Sequence, residues 1–378
     1  MKKYSNIPCA KPYLDAKELA CVRRVFDTGW LGMGSVVHEF EEALKNYLGV
    51  RNVIAVNTGT SALHIALESY GIGAGDEVIV PSLTFVATAH AVSMCGAKAI
   101  FCDVDEDTLN IDIDDAAGKI TKNTRAILPV HYSGLPCDMD ALLNLAQDKH
   151  MHVIEDAAHA FGSAYKGKKI GSFGDAACFS FDPIKVITCG EGGAVATNDD
   201  DLARIIIRKR ILGIDKDTWS RYKHKRSWFY EVKELGYRYH MSNMNAAIGL
   251  EQLGKIDIFL DRRREIAAMY DKGLKRIGGI GLIEKDYRKI APFNYIVKIK
   301  DRRRVLLMAY LKRRGIETGV HYLPNHMQPF YKAASGKLPV TEKVALQILT
   351  LPLYYGMSDE DATRIISSIK NFFKGVSR

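Results

Sequence analysis

Through the first two-thirds of the chain, short apolar runs rich in Val, Ile and Ala alternate with stretches of helical periodicity. The runs are "NVIAV", "DEVIVP", "AKAIFCDVD", "TRAILPVHY", "HMHVIED", "AACFSFD" and "GGAVATND". A strand with one wet face would alternate apolar and polar residues. Unbroken apolar runs separated by helices instead predict strands covered on both faces, in a mainly parallel α/β sheet of seven strands. After about residue 250 the pattern changes to long helical stretches, "LEQLGKIDIFLDRRREIAAMYDKGLKRI" and "DEDATRIISSIKNFFKG", with one strand candidate, "FNYIVKIK", between them. The pattern predicts a large α/β domain over residues 1–250 and a smaller α+β domain over 251–378, with no Pro- or Ser-rich linker and no internal repeat.

Composition narrows the class. With 378 residues, 47% hydrophobic and 26% charged, the chain can bury two sizeable cores and is not disordered. The start, "MKKYSNIPCAKPYLD", has no apolar run behind its lysines, and the most apolar region is broken by Pro81, His90 and Gly96. Neither a signal peptide nor a membrane span is expected. Seven cysteines form no C-x-x-C pair and sit mostly among apolar residues, which predicts reduced core thiols in a cytoplasmic protein. A net charge of +9 is compatible with nucleic acid, a membrane surface or a small anionic ligand. The basic runs "RIIIRKR", "RYKHKR", "DRRREI" and "DRRRVLLMAYLKRRG" are scattered and mostly interleaved with apolar residues, the pattern of solvated helix faces.

In doubly wound sheets a ligand lies beyond the carboxyl ends of the strands. After "NVIAV", the residues Gly59, Thr60 and Ser61 open an amphipathic helix, which reads either as a phosphate site or as an ordinary hydroxyl N-cap. After "HMHVI" come Glu155, Asp156 and His159; a buried carboxylate there needs a basic side chain, a helix N-terminus or the cationic ring nitrogen of a cofactor. Phe85 follows "DEVIVP" as core packing or a stacking face. Lys185 follows Ser180 and precedes glycines 190, 192 and 193. Its stem could pack while its amine snorkels to water, or a low-dielectric site could lower its pKa so that the neutral amine condenses with an aldehyde. Lysine, strand-end aspartate and helix start together describe a pyridoxal phosphate site.

Longer stretches carry a resemblance. "TGWLGMGSVVHEFEEAL", "NTGTSALHIAL", "VPSLTFVATAHAV", "VIEDAAHAFGS", "FSFDPIKVITCGEGG", "MSNMNAAIGLEQL" and "GIETGVHYLPNHMQPFY" resemble the sugar aminotransferases of the DegT, DnrJ and StrS group, fold-type-I pyridoxal phosphate enzymes, over nearly the whole chain. The resemblance implies Lys185 as the Schiff-base lysine, Asp156 as partner of the pyridine nitrogen, His159 near the ring hydroxyl and Phe85 stacked on the ring. It places Gly59, Thr60, Ser61 and Ser180 around the phosphate, and His321 and Tyr322 near the sugar. Where the family often reads Gly-Tyr-Asn-Tyr-Arg this chain has "GYRYH", so Arg238 replaces an asparagine that reaches the phosphate of the neighbouring subunit, and His240 replaces an arginine. Asp182 stands where His or Tyr is common. Dehydratases of the family carry histidine at the position of Lys185, which argues against that branch.

Other motifs yield less. "GSAYKGKK" lacks the Ser/Thr of a P-loop and predicts a hairpin turn; "DVDEDTLNIDID" lacks the glycine and glutamate of a calcium loop. Pro324 separates His321 from His326, so no metal is expected. The expectation is a homodimeric aminotransferase with shared active sites, cycling between pyridoxal 5'-phosphate and pyridoxamine 5'-phosphate. It would carry an amino group from glutamate to a keto sugar, nucleotide-linked, or alternatively to a free keto sugar or cyclitol. A non-catalytic nucleic-acid-binding protein on the same fold is the alternative of another class; it predicts salt-dependent DNA binding and no need for Lys185.

Overall fold

The computed structural model describes residues 5–214, 230–283, 285–332 and 336–375; the basic run "RYKHKR" lies outside them. Each apolar run of the first two-thirds supplies one strand of a central sheet. These are β1 (Asn52–Val56), β2 (Glu77–Pro81), β3 (Lys98–Cys102), β4 (Thr124–Ile127), β5 (His152–Asp156), β6 (Ala176–Ser180) and β7 (Gly193–Thr197). Their spatial order is β1-β7-β6-β5-β4-β2-β3. Neighbours from β6 to β3 run parallel, while β7 is antiparallel to both β1 and β6.

Both faces of the sheet are covered, which explains the unbroken apolar runs. Val153 packs with Phe40, Leu44 and Phe179 on one face, and its neighbour Ile154 packs with Ile65, Val78 and Val195 on the other. Helices Ser35–Leu48 and Met139–Lys149 cover the first face, Gly59–Ser69 and Asp200–Lys209 the second. Burying a side chain such as Phe40 or Leu44, each fully enclosed, contributes about 1.5–3 kcal/mol.

Beyond the sheet, the long helical stretch forms two helices, Asn243–Gly254 and Ile256–Leu274, broken at Lys255. Lys255 turns its amine onto Glu18 at 2.7 Å and Asp15 at 3.0 Å, tying the break to the first helix, Ala16–Thr28. The second helix bridges two cores: Phe259 and Leu260 pack under the large sheet, Ile266 and Tyr270 against a small antiparallel one. That small sheet comprises β8 (Ile280–Leu282), β9 (Tyr295–Ile299) and β10 (Ile348–Leu351), with helix Asp359–Gly375 beside it. Ile7 also joins this core, bridged to Ile316. "GSAYKGKK" forms the expected hairpin, Ala164–Tyr165 against Lys168–Lys169. Among the described residues no helix is long and apolar enough to cross a membrane. The carboxyl ends of β1, β2, β5 and β6 share one edge of the large sheet and converge on a cleft.

Candidate active site

The helix after β1 begins with a reciprocal cap. Thr58 Oγ1 accepts from the Ser61 N–H at 3.0 Å, and Ser61 Oγ accepts from the Thr58 N–H at 3.1 Å. Ser61 also donates to Asn57 Oδ1 at 2.5 Å, so its buried hydroxyl serves the cap and it does not line the cleft. The N–H groups of Gly59 and Thr60 precede the helix ladder and remain available to a ligand. A Cβ on Gly59 would stand 2.8 Å from Ser180 Cβ, so only glycine lets the helix start sit against the end of β6. Gly193 is constrained in the same way, since its Cβ would lie 2.3 Å from Thr58 O.

The cleft has a volume of about 320 Å³, within the range of small-molecule sites. Its walls bring together Gly59 and Thr60 from the helix start, Phe85 after β2, Asp156 at the end of β5 with His159 beyond it, and Ser180 at the end of β6 with Lys185 beyond it. His321 and Tyr322 enter from the C-terminal part of the chain. Arg238 lies outside: it is exposed, and its backbone bridges Ile211. His240 bridges Val56 at the end of β1, and burial, with Arg238 beside it, holds its imidazole below the usual range.

Electrostatics tune each group. Burial lowers the Lys185 amine from 10.5 to about 8, against the pull of Asp156 and Asp182. Its Nζ lies 4.3 Å from the centre of the Phe293 ring. Asp156, 5% exposed, is pushed upward by burial and held back by two donors and Lys185. Those donors are the Thr88 hydroxyl, at 2.7 Å from Oδ2, and the Ala158 N–H, at 3.1 Å from Oδ1. Burial, with Lys185 nearby, drives His159 well below its ordinary value, so its imidazole is neutral. The ring stacks on Phe293 at 4.2 Å and meets the Tyr322 hydroxyl through Nε2 at 3.0 Å. His159 Nδ1 is buried and has no partner among the described residues. Phe85, 54% exposed, presents its ring at the mouth, 5.6 Å from Tyr322. His321 bonds Thr350 Oγ1 through Nδ1 at 2.8 Å, and its carbonyl accepts from the Tyr132 hydroxyl. Asp182 accepts from the Ile184 N–H at 3.0 Å, closing the turn that presents Lys185.

Sequence reasoning missed Thr88, Glu191 and Phe293. Thr88 stood inside the quoted "VPSLTFVATAHAV", where a hydroxyl one turn beyond Phe85 was the available signal. Phe293 comes from a distant segment and gives no local signal. Glu191 lines the cleft beside Asp182, and burial followed by Asp182 raises its carboxyl.

This arrangement offers an amine of lowered pKa, a buried carboxylate and a helix N-terminus in one space. Independently, the sequence model of the DegT/DnrJ/EryC1/StrS aminotransferase family matches residues 12–370. The chain belongs to this family. The spore coat polysaccharide biosynthesis protein SpsC of Bacillus subtilis is 37% identical over 385 residues, covering 99% of each chain. PseC of Helicobacter pylori, an aminotransferase involved in pseudaminic acid biosynthesis, superposes with a TM-score of 0.92 at 29% identity, over 98% of this chain and 100% of that one. The sugar aminotransferase Spr1654 of Streptococcus pneumoniae, described as putative and solved in its pyridoxamine phosphate form, gives 0.93 at 28% identity over the same shares. As a member of the DegT/DnrJ/EryC1/StrS family the protein is a pyridoxal phosphate-dependent aminotransferase with a small-molecule substrate. The residues present fit that cofactor. Gly59 leaves room at the helix start, His159 Nδ1 lacks a partner, and Lys185 and Asp156 provide an amine and a carboxylate.

Proposed function

We propose that this aminotransferase moves an amino group from glutamate to a nucleotide-linked keto sugar, in amino-sugar and polysaccharide biosynthesis. The observation that carries the reading is that Lys185 and Asp156 share one cleft with the start of helix Gly59–Ser69, while polar groups of His321, Tyr322, Asp182 and Glu191 line the remainder. Hydroxyl-rich sugars match such a lining, and SpsC and PseC are described by their parts in spore coat polysaccharide and pseudaminic acid biosynthesis.

Pyridoxal phosphate, when bound, supplies an aldehyde carbon for the amino group and a ring that stores an electron pair. The Gly59 and Thr60 N–H groups and the Ser180 hydroxyl would hold its phosphate at the positive end of the helix. Asp156 would hold the proton on the ring nitrogen, and His159 Nδ1 would meet the ring hydroxyl. Phe85 supplies a stacking face. Lys185 would hold the aldehyde carbon and, as a free amine, would move a proton at Nζ from the donor carbon. An amine with a pKa of about 8 is neutral in roughly one molecule in ten at pH 7, against about one in three thousand at 10.5.

Among the described residues lining the cleft, Lys185 is the one lysine or arginine. Glutamate carries two carboxylates and a nucleotide sugar a diphosphate, so the site needs a further cation. A homodimer in which Arg238 of a second copy completes the cleft would supply it. The substrate test is to charge the enzyme with glutamate and offer a nucleotide-linked keto hexose, a free keto hexose and a keto cyclitol, with products read by mass. Amine formation from the nucleotide-linked sugar alone is expected; amination of the free sugar or cyclitol alone would reassign the substrate.

A further inference from the structure

We propose that Thr88 is a positioning residue for the reaction: its hydroxyl, oriented by Thr84, holds Asp156 as an ionised carboxylate aimed at a protonated ring nitrogen. The inference rests on the reading of Asp156 as the partner of that nitrogen. Thr84, Thr88 and Asp156 are 2%, 0% and 5% exposed, so water does not substitute for their bonds. Thr88 Oγ1 lies 2.7 Å from Asp156 Oδ2, and Thr84 Oγ1 lies 2.8 Å from Thr88 Oγ1. A hydroxyl has one proton. Since Thr88 gives its proton to the carboxylate, Thr84 must be the donor to Thr88, and the chain is polarised in one direction towards Asp156.

The second oxygen, Oδ1, accepts from the Ala158 N–H at 3.1 Å. Asp156 is therefore met by donors on both oxygens, an environment suited to a carboxylate and unsuited to a carboxylic acid, whose own proton needs an acceptor. The start of the chain is fixed from the far end of the sequence: Asn325 Nδ2 donates to the carbonyls of Thr84 at 2.8 Å and Ser82 at 3.2 Å. Phe85 caps helix Val86–Met94, so one turn of backbone carries both the stacking aromatic and the Thr88 hydroxyl.

The test pairs Thr88→Val, which keeps the shape and removes the hydroxyl, with two cofactors. One is pyridoxal phosphate; the other is its deaza analogue, whose ring carries C–H in place of nitrogen. Affinities are measured on the cofactor-free protein, with melting temperature as the control for folding. Because a hydrogen bond to a charged group is involved, Thr88→Val is expected to bind pyridoxal phosphate about tenfold more weakly while its affinity for the analogue is unchanged. Thr88→Ser is expected to restore binding. Equal losses for both cofactors, or no loss for either, would overturn the proposal. A wild-type protein that binds both cofactors equally would instead remove Asp156 as ring-nitrogen partner, and the inference with it. Should Thr88→Val fail to fold, Thr84→Val serves one step further back, with a smaller loss confined to pyridoxal phosphate.

Discussion

At the scale of single residues, the amine of Lys185 is perturbed in the direction that its proposed role requires. Its value of about 8 against 10.5 comes from burial, and the sign has two consequences. The neutral, reactive amine increases with pH, so capture of pyridoxal phosphate by the cofactor-free protein should accelerate up to about pH 8 and then level off, as stopped-flow absorbance would show. Between about 8 and 10.5 the unfolded lysine holds a proton that the folded one lacks, so this group adds stability as pH rises. Asp182 pulls the amine upward, so Asp182→Asn should move the capture midpoint to lower pH; an unchanged or higher midpoint would contradict that assignment. Lys185, Asp156 and Ser180 were legible because each ends or closely follows an apolar run. Thr88 and Phe293 were not, because their roles arise only when residues far apart in sequence meet: Thr88 with Asp156, Phe293 with His159 and Lys185.

At the scale of elements, the contact between the helix start and the end of β6 shapes the proposed phosphate cradle. A methyl on Gly59 would press on Ser180 at 2.8 Å from Cβ and 3.3 Å from Cα. Gly59→Ala is therefore expected to lower stability by about 1–3 kcal/mol, as overpacking does, and to weaken cofactor binding by about tenfold or more. Thermal melts and cofactor titration would check both, and Ser180→Gly in the same chain should recover part of the stability. The seven strands could be read from sequence because burial on both faces removes alternation. The reversed direction of β7 could not, since an apolar run such as "GAVAT" reads alike in either sense. The helix break at Lys255 was also hidden: the apolar period continues past it, while the folded chain marks it by the non-helical backbone of Lys255 and its ion pairs to Asp15, Glu18 and Glu251. The expected hydroxyl of Ser61 is used by its own helix, whose cap places the reciprocal partner three residues after Thr58.

For the whole molecule, one of the four basic runs is matched by acids of the same chain. In "RIIIRKR", Arg208 pairs with Glu234 at 2.9 Å, Lys209 with Glu68 at 2.8 Å, and the buried Arg210 with Glu41. These pairs tie the end of helix Asp200–Lys209 to its surroundings. If Arg238 completes the site of a second copy, mixing inactive Lys185→Ala with impaired Arg238→Ala should regenerate activity. Hybrid dimers would then carry one site with both Lys185 and Arg238 intact. Purified mixtures that regain about a quarter of wild-type turnover, as random exchange predicts, would support the shared site; no gain after proven subunit exchange would place Arg238 in its own chain's site or in none.

The proposed role of Lys185 is to hold a pyridoxal phosphate cofactor that takes an amino group. The measurement that meets it most directly is the visible absorbance of the purified protein, reconstituted with pyridoxal phosphate, before and after glutamate, beside Lys185→Ala. A yellow band that glutamate discharges in the wild-type protein, and that is absent or unresponsive in the variant, is the predicted result. A wild-type protein that stays colourless with pyridoxal phosphate, or a variant that responds to glutamate as the wild type does, would contradict it.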